Sequence, residues 1–188
     1  MASFCLLRMG APHCGHAALV ELMLGLEQGE ALVLVGSADV SDRPDTPLPW
    51  EQRRAILLAL LSARGAEVSR LTFAPLPELK TNGWDARWCE YLLETAKRAL
   101  VTSSALTRYV YGDDYSASVF APLVFEAPSL ELVRAARLYD KSSHELRTAI
   151  TTGDPGLVEK YLEELAFYPH AVRAHVARVC RAGVERPR

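Results

Sequence analysis

The chain has 188 residues, of which 49% are hydrophobic and 23% charged, and its formal net charge is −2. That size suits one α/β domain with a sizeable core, and the near-neutral balance gives no basic field for nucleic acid or a membrane surface. No apolar run is long enough to span a bilayer and no basic–apolar–small leader is seen, while Cys5, Cys14, Cys89 and Cys180 contain no C-x-x-C pair; we therefore expect a cytoplasmic protein with reduced thiols.

Residues 4–9 read as a buried first strand, and residues 16–27 as a helix with Leu19, Val20, Met23 and Leu26 at helical spacing. The run from Ala31 to Gly36 is continuous and rich in branched residues, the pattern of a parallel strand buried on both faces. A loop dense in Asp and Pro covers 37–49, and Trp50 to Ala63 is a helix with Ile56, Leu57, Leu60 and Leu61 inward. Val68 to Phe73 reads as a third strand, Trp84 to about Val101 as a helix, Leu106 to Tyr111 as a fourth strand and Leu123 to Glu126 as a fifth. Short helices are expected over 143–152 and 155–166, with Pro169 opening a last one. Alternation of strand and helix through the first 126 residues predicts a parallel sheet with helices on both faces. Ligands of such sheets bind beyond the carboxyl ends of the strands.

The first strand–helix corner reads Gly10-Ala11-Pro12-His13-Cys14-Gly15-His16. A helix N-terminus offers unpaired N–H groups and partial positive charge, which favour an anion. Gly15 lets backbone approach a ligand because it has no Cβ, and two imidazoles add donors aimed at the same point. The corner suits phosphate. Read alone, His13 and His16 at i, i+3 could instead ligate a metal, but no third ligand stands at local spacing. His16 could also be a satisfied core histidine, and Cys14 a thiol nucleophile, although no relay supports it. The tetrad His13-Cys14-Gly15-His16 at this junction resembles the His-x-Gly-His signature of the adenylyl- and cytidylyltransferase superfamily.

Four further segments extend the resemblance. Gly36, Ser37, Arg43, Pro47, Trp50, Glu51 and Arg53 match a stretch of nicotinamide-mononucleotide (NMN) adenylyltransferases of the bacterial and archaeal type. Thr46 departs from that family's asparagine, and the loop is shorter. The resemblance implies that Arg43 and Arg53 hold nucleotide, although Arg53 alone also reads as a solvated first-turn residue. Ser142-Ser143-His144-Glu145-Leu146-Arg147 resembles the superfamily's second signature, with His144 where threonine is usual. By itself it reads as a well-capped helix start, but Arg147 one turn in is mildly unfavourable there unless an anion offsets it. Asp85 and Trp88 fit an Asp-x-x-Trp spacing whose aromatic stacks on nicotinamide in that family. Trp84 and Trp88 at i, i+4 also fit ordinary packing. Gly112-Asp113-Asp114 is similar to a run that contacts ribose or a magnesium water shell, and a plain Gly-Asp turn looks the same.

Together the resemblance implies a Rossmann-like, doubly wound parallel sheet of about five strands over residues 1–153, with 154–188 a C-terminal helical extension ending in a basic tail. It implies an adenylyltransferase joining ATP and NMN to give NAD and pyrophosphate. His13, His16 and Arg147 would be catalytic. Gly10, Gly15, Ser142, Ser143, His144, Gly112 and Asp113 would hold ATP, and Ser37, Arg43, Arg53, Asp85 and Trp88 the acceptor. Mg2+ would arrive with ATP, and no metal site is assigned to the protein itself. Enzymes of this kind are often homo-oligomers. The alternatives are another phosphorylated acceptor (nicotinate mononucleotide, phosphopantetheine, or the alcohol phosphate of a cytidylyl transfer) and a degenerate relative that binds nucleotide without turnover.

Overall fold

The computed structural model describes residues 1–10, 12–26, 29–43, 46–80, 85–101, 105–112 and 117–136, with isolated positions at 156, 159, 174, 177 and 178. The elements run β1 (Ala2–Leu7), α1 (Cys14–Leu26), β2 (Glu30–Gly36), α2 (Trp50–Ala63), β3 (Leu71–Leu76), α3 (Ala86–Ala99), β4 (Leu106–Gly112), α4 (Ala121–Glu126) and β5 (Glu131–Ala135). The five strands form one sheet in the order β3-β2-β1-β4-β5, and every pairing is parallel.

The apolar run in β2 is continuous because both of its faces are covered. Leu32 and Leu34 lie in a cluster with Phe4, Leu92, Tyr109, Tyr111, Phe120 and Leu123. Val33 and Val35 point the other way, into a cluster with Cys5, Leu7, Val20, Met23, Leu57 and Leu61. Successive strand side chains alternate between faces, so α1 and α2 cover one side and α3 and α4 the other. Phe4 is paired in register with Leu32 and Tyr109, and its ring centroid lies 5.0 Å from that of Tyr109.

Helix α1 is fastened at its C-terminal end by cations from elsewhere in the chain. Its last turn contains no basic residue. Arg70 donates to the Leu24 carbonyl at 2.9 Å, and Arg108 to the Leu26 carbonyl at 3.1 Å. Those carbonyls carry the negative end of the helix dipole, so each contact combines a hydrogen bond with a favourable charge. On the solvent side Arg64, just past α2, grips Glu21 of α1 with two bonds, one of them 2.8 Å.

Two expected strands are corrected. Leu123–Glu126 lies within helix α4, which has a proline in its first turn; Leu123 is fully buried while Phe125 is 82% exposed. Pro122 presets helical φ and removes a strand donor, and the fifth strand begins later, at Glu131. The third strand starts at Leu71 because Val68–Arg70 forms a 3₁₀ turn leading into it. The helices expected over 143–152 and 155–166 and the division at 153/154 lie outside the continuously described residues. Among the described residues, no helix is long and apolar enough to cross a membrane.

Leu34 is fully buried in the second strand. Leu34→Ala should therefore lower the unfolding free energy by about 2–5 kcal/mol, whereas Leu22→Ala, at a 38% exposed site on α1, should change it by less than about 0.5 kcal/mol. Urea unfolding of the two variants checks the contrast.

Candidate active site

Strand order places the reversal of the winding between β1 and β4, since the chain builds outward to β3 and then returns to the other side of β1. The loop after β1 opens at that reversal, where doubly wound sheets bind ligands. Met9 turns the chain there with φ 45°, a left-handed conformation unusual for a non-glycine residue. It is almost fully buried, so packing holds it.

The two histidines form a reciprocal cap on α1. The His13 carbonyl accepts from the N–H groups of His16 at 3.0 Å and Ala17 at 3.3 Å, which makes His13 the residue at which the helix begins. Its Nδ1 accepts from the Gly15 N–H at 3.1 Å. In return the His13 N–H donates to Nδ1 of His16 at 3.2 Å. This is a variant of the capping box: the return bond comes from the third helical residue as usual, but the N-cap ring accepts from the second helical N–H, and imidazoles replace the hydroxyl and the carboxylate. The ring centroids stand 4.0 Å apart at 48°. A nitrogen that accepts a bond carries no proton, so the neutral form of each ring has its proton on Nε2. Each neutral ring thus has its donor on the nitrogen that the cap does not use.

Gly15 is required by this arrangement. A Cβ at position 15 would lie 2.9 Å from Cε1 and 3.0 Å from Nδ1 of His13. The first turn of α1 also contains no acidic residue, so the positive end of its dipole is not neutralised from within that turn. Burial, with His13 as a second and smaller cause, holds the His16 pKa well below its ordinary 6.5. His16 is a neutral donor at physiological pH.

The end of β2 is organised by Arg53. Its guanidinium is fully buried. One terminal nitrogen donates to the carbonyls of Arg8 at 2.7 Å and Gly36 at 2.9 Å, and the other to the carbonyl of Ser37 at 2.9 Å. Burial and the neighbouring Arg8 lower its pKa to about 10, which leaves it cationic at neutral pH. Arg53 thus clamps three backbone carbonyls on two chain segments. Ser37 stands at the carboxyl edge with φ 51°. Arg43 is exposed, and its backbone pairs with that of Thr46 through bonds of 3.3 and 3.0 Å; Thr46 is fully buried.

Asp85 and Trp88 are drawn into helix architecture. The Asp85 carboxylate caps α3 by accepting from the Trp88 N–H at 2.8 Å. The half-buried Trp88 packs against the cluster of Phe4, Leu32 and Leu92. Gly10 is buried beside Met9, and Gly112 ends β4 at the same carboxyl edge. Asp113, Ser142, Ser143, His144 and Arg147 lie outside the described residues. Two further residues stand at this edge: Arg8, whose side chain is 39% exposed and 3.5 Å from Glu78, and Met9. An arginine directly after an apolar strand was the available signal for the first, and nothing in the sequence marks the backbone angle of the second. Among the described residues, no group of three or more His, Cys, Asp or Glu side chains converges to hold a metal.

Sheet and corner define a doubly wound, Rossmann-like α/β fold with a cluster of donors at its switch point. Among solved structures, the chain is similar to a bifunctional NMN adenylyltransferase/ADP-ribose pyrophosphatase from Francisella tularensis, with a TM-score of 0.66 at 16% identity over 81% of this chain and 42% of that one. A second structure of that bifunctional enzyme, complexed with AMP and an Mn ion, also gives a TM-score of 0.66 at 16% identity, over 96% of this chain and 52% of the other. The chain spans about half the length of these structures. At that identity the likeness shows a shared fold. No protein-family model matches the chain, and no curated protein matches it.

Gly15→Ala should separate stability from site geometry. The His13 ring can swing aside, and alanine gains about 1 kcal/mol of helix propensity, so thermal stability should stay within about 1 kcal/mol of the wild type. Calorimetric titration with MgATP should show binding weakened at least about tenfold, because the displaced ring loses its bond to the Gly15 N–H. The second expectation concerns pH. The folded pKa of His16 is depressed, so the unfolded chain binds more protons below 6.5. Stability is then fully present above that value and falls as pH drops through the folded pKa. Urea unfolding at about pH 7.5 and about pH 5 should show this loss in the wild type, and His16→Asn should reduce it.

Proposed function

We propose that the protein is a nucleotidyltransferase that transfers the adenylyl group of ATP to NMN, releasing pyrophosphate and forming NAD. The observation that carries this reading is the His13–His16 cap, in which each Nδ1 accepts a backbone N–H so that the neutral ring keeps its proton on Nε2, at the N-terminus of α1 beside the sheet's switch point. Such a corner provides imidazole donors and an un-neutralised helix dipole to phosphoryl oxygens. The fold shared with the bifunctional enzyme from Francisella tularensis supports the same reading.

The chemistry asks little of the protein beyond position and charge. An oxygen of the NMN phosphate attacks the α-phosphorus of ATP, the bond to the bridging oxygen of the β-phosphate breaks, and pyrophosphate leaves with that electron pair. The nucleophile is already an anion, so no general base is needed. His13 and His16 would donate from Nε2 to oxygens that gain charge in the transition state, with Arg147 assigned the same duty by resemblance. Imidazole N–H and backbone N–H groups suit phosphate oxygens, not a hard cation, so magnesium is expected to enter on the triphosphate itself. There it supplies Lewis-acid neutralisation.

A second reading keeps the transfer and changes the acceptor. Asp85 caps α3 and Trp88 packs against the core, so the residues that pointed to a pyridine ring have structural duties. Nicotinate mononucleotide and phosphopantetheine therefore belong beside NMN in the assay.

The decisive experiment mixes protein, MgATP and NMN and follows NAD through alcohol dehydrogenase, with pyrophosphate detection for the other acceptors. NAD formation is expected, and His16→Ala should reduce kcat by about 100- to 1,000-fold. Loss of its bond to the His13 N–H should cost about 1 kcal/mol of stability. Normal turnover by His16→Ala would overturn the assignment, and MgATP binding without turnover on any acceptor would leave a nucleotide-binding protein.

A further inference from the structure

We propose that Arg53 is the positioning residue of this site: one buried guanidinium ties the carboxyl ends of β1 and β2 together and so fixes the backbone that presents His13, His16 and Ser37. The inference rests on the reading of this edge as the reactive one.

Pairing of β1 with β2 ends at Leu7↔Val35. The carbonyls that Arg53 takes up, those of Arg8, Gly36 and Ser37, lie just beyond that pair. The guanidinium thus continues the tie between strands after the ladder has stopped. A planar fork of N–H donors does this where a single ammonium cannot, because three carbonyls on two chain segments need fixed and divergent donor directions.

The clamp also sits beside the backbone's unusual conformations. Arg8 immediately precedes Met9 at φ 45°, and Ser37 itself has φ 51°. Left-handed non-glycine residues persist when their surroundings over-determine them. Holding the Arg8 carbonyl fixes the peptide that enters Met9, and holding the Ser37 carbonyl fixes the peptide that leaves Ser37. Gly36 completes the close approach, since a Cβ there would lie 3.2 Å from Leu6 Cδ1 and 3.7 Å from the Arg8 Cα. Arg53 thereby couples the loop carrying the two histidines to the loop carrying Ser37 and Arg43, without itself facing solvent.

The test compares the wild type with Arg53→Lys, which keeps a cation and loses the fork. In the variant, the NMR amide signals of Met9, His13, Gly15 and Ser37 should shift while those of Leu92 and Val133 stay. In the adenylyl-transfer assay kcat should fall about 100-fold, the scale of an ångström-sized misplacement, with KM for ATP little changed. Wild-type kcat together with unmoved corner signals would overturn the proposal and leave Arg53 a stability residue. The wild type gives an independent arm, should the variant fail to fold. MgATP should shift the His13 and Gly15 signals, and neither MgATP nor NMN, titrated separately, should move the Arg53 guanidinium signals. Guanidinium signals that move as far as those of the corner would overturn the proposal in favour of direct contact. Shifted corner signals in Arg53→Lys, with no adenylyl transfer by the wild type, would remove the reaction reading and sustain the positioning role.

Discussion

Parallel pairing of all five strands is the constraint on which the rest of this molecule depends. A parallel neighbour can be reached only by crossing back over the sheet, so each strand must leave at the same edge. Three of the candidate segments therefore collect on one side: the histidine corner after β1, Ser37 to Arg43 after β2, and Gly112 at the end of β4. Among the described residues, the returning chain enters the sheet at the opposite edge. The strand order then singles out the corner after β1, because that is where the winding reverses.

Helix α1 shows how electrostatics follows from that architecture. Its C-terminal carbonyls accept from Arg70 and Arg108, so its negative end is complemented from elements packed on either side. Its N-terminal end has no acid in the first turn and is capped by the two imidazoles. A capping carboxylate would have neutralised the dipole where an anion is to be held. Neutral imidazole acceptors satisfy the backbone donors without adding negative charge, and each ring still presents a donor on its other edge. Structural and chemical duties are compatible here because the two ring nitrogens act separately.

Departures from local rules gather at the same edge. Met9, Ser37 and Asp42 are the non-glycine residues with positive φ among the described residues, and all three follow the carboxyl ends of β1 and β2. The buried guanidinium of Arg53, with carbonyl dipoles as its hydrogen-bond acceptors, lies between the first two. Proteins commonly concentrate such conflicts where function needs an exact backbone, while the surrounding packing supplies the stability.

The sequence by itself determined the alternation of elements and the location of the corner. The unbroken apolar run of β2 announced a strand buried on both faces, and α2 spans Trp50–Ala63 as its periodicity indicated. These features are local, fixed by side-chain period and by Gly and Pro. Periodicity failed at Leu123–Glu126, where four apolar-leaning residues are too few to separate strand from helix and Pro122 decided for helix. Only the tertiary structure shows which groups of the protein Arg53, Asp85 and Trp88 engage. Their residue types suit a ligand equally well, and their contacts depend on where the fold brings backbone carbonyls, the first-turn N–H of α3 and a core face. The mutual capping of His13 and His16 lies between these cases. Its spacing was legible in the chain, but which nitrogen of each ring accepts, and hence which one is left to donate, depends on the fold of the turn in three dimensions.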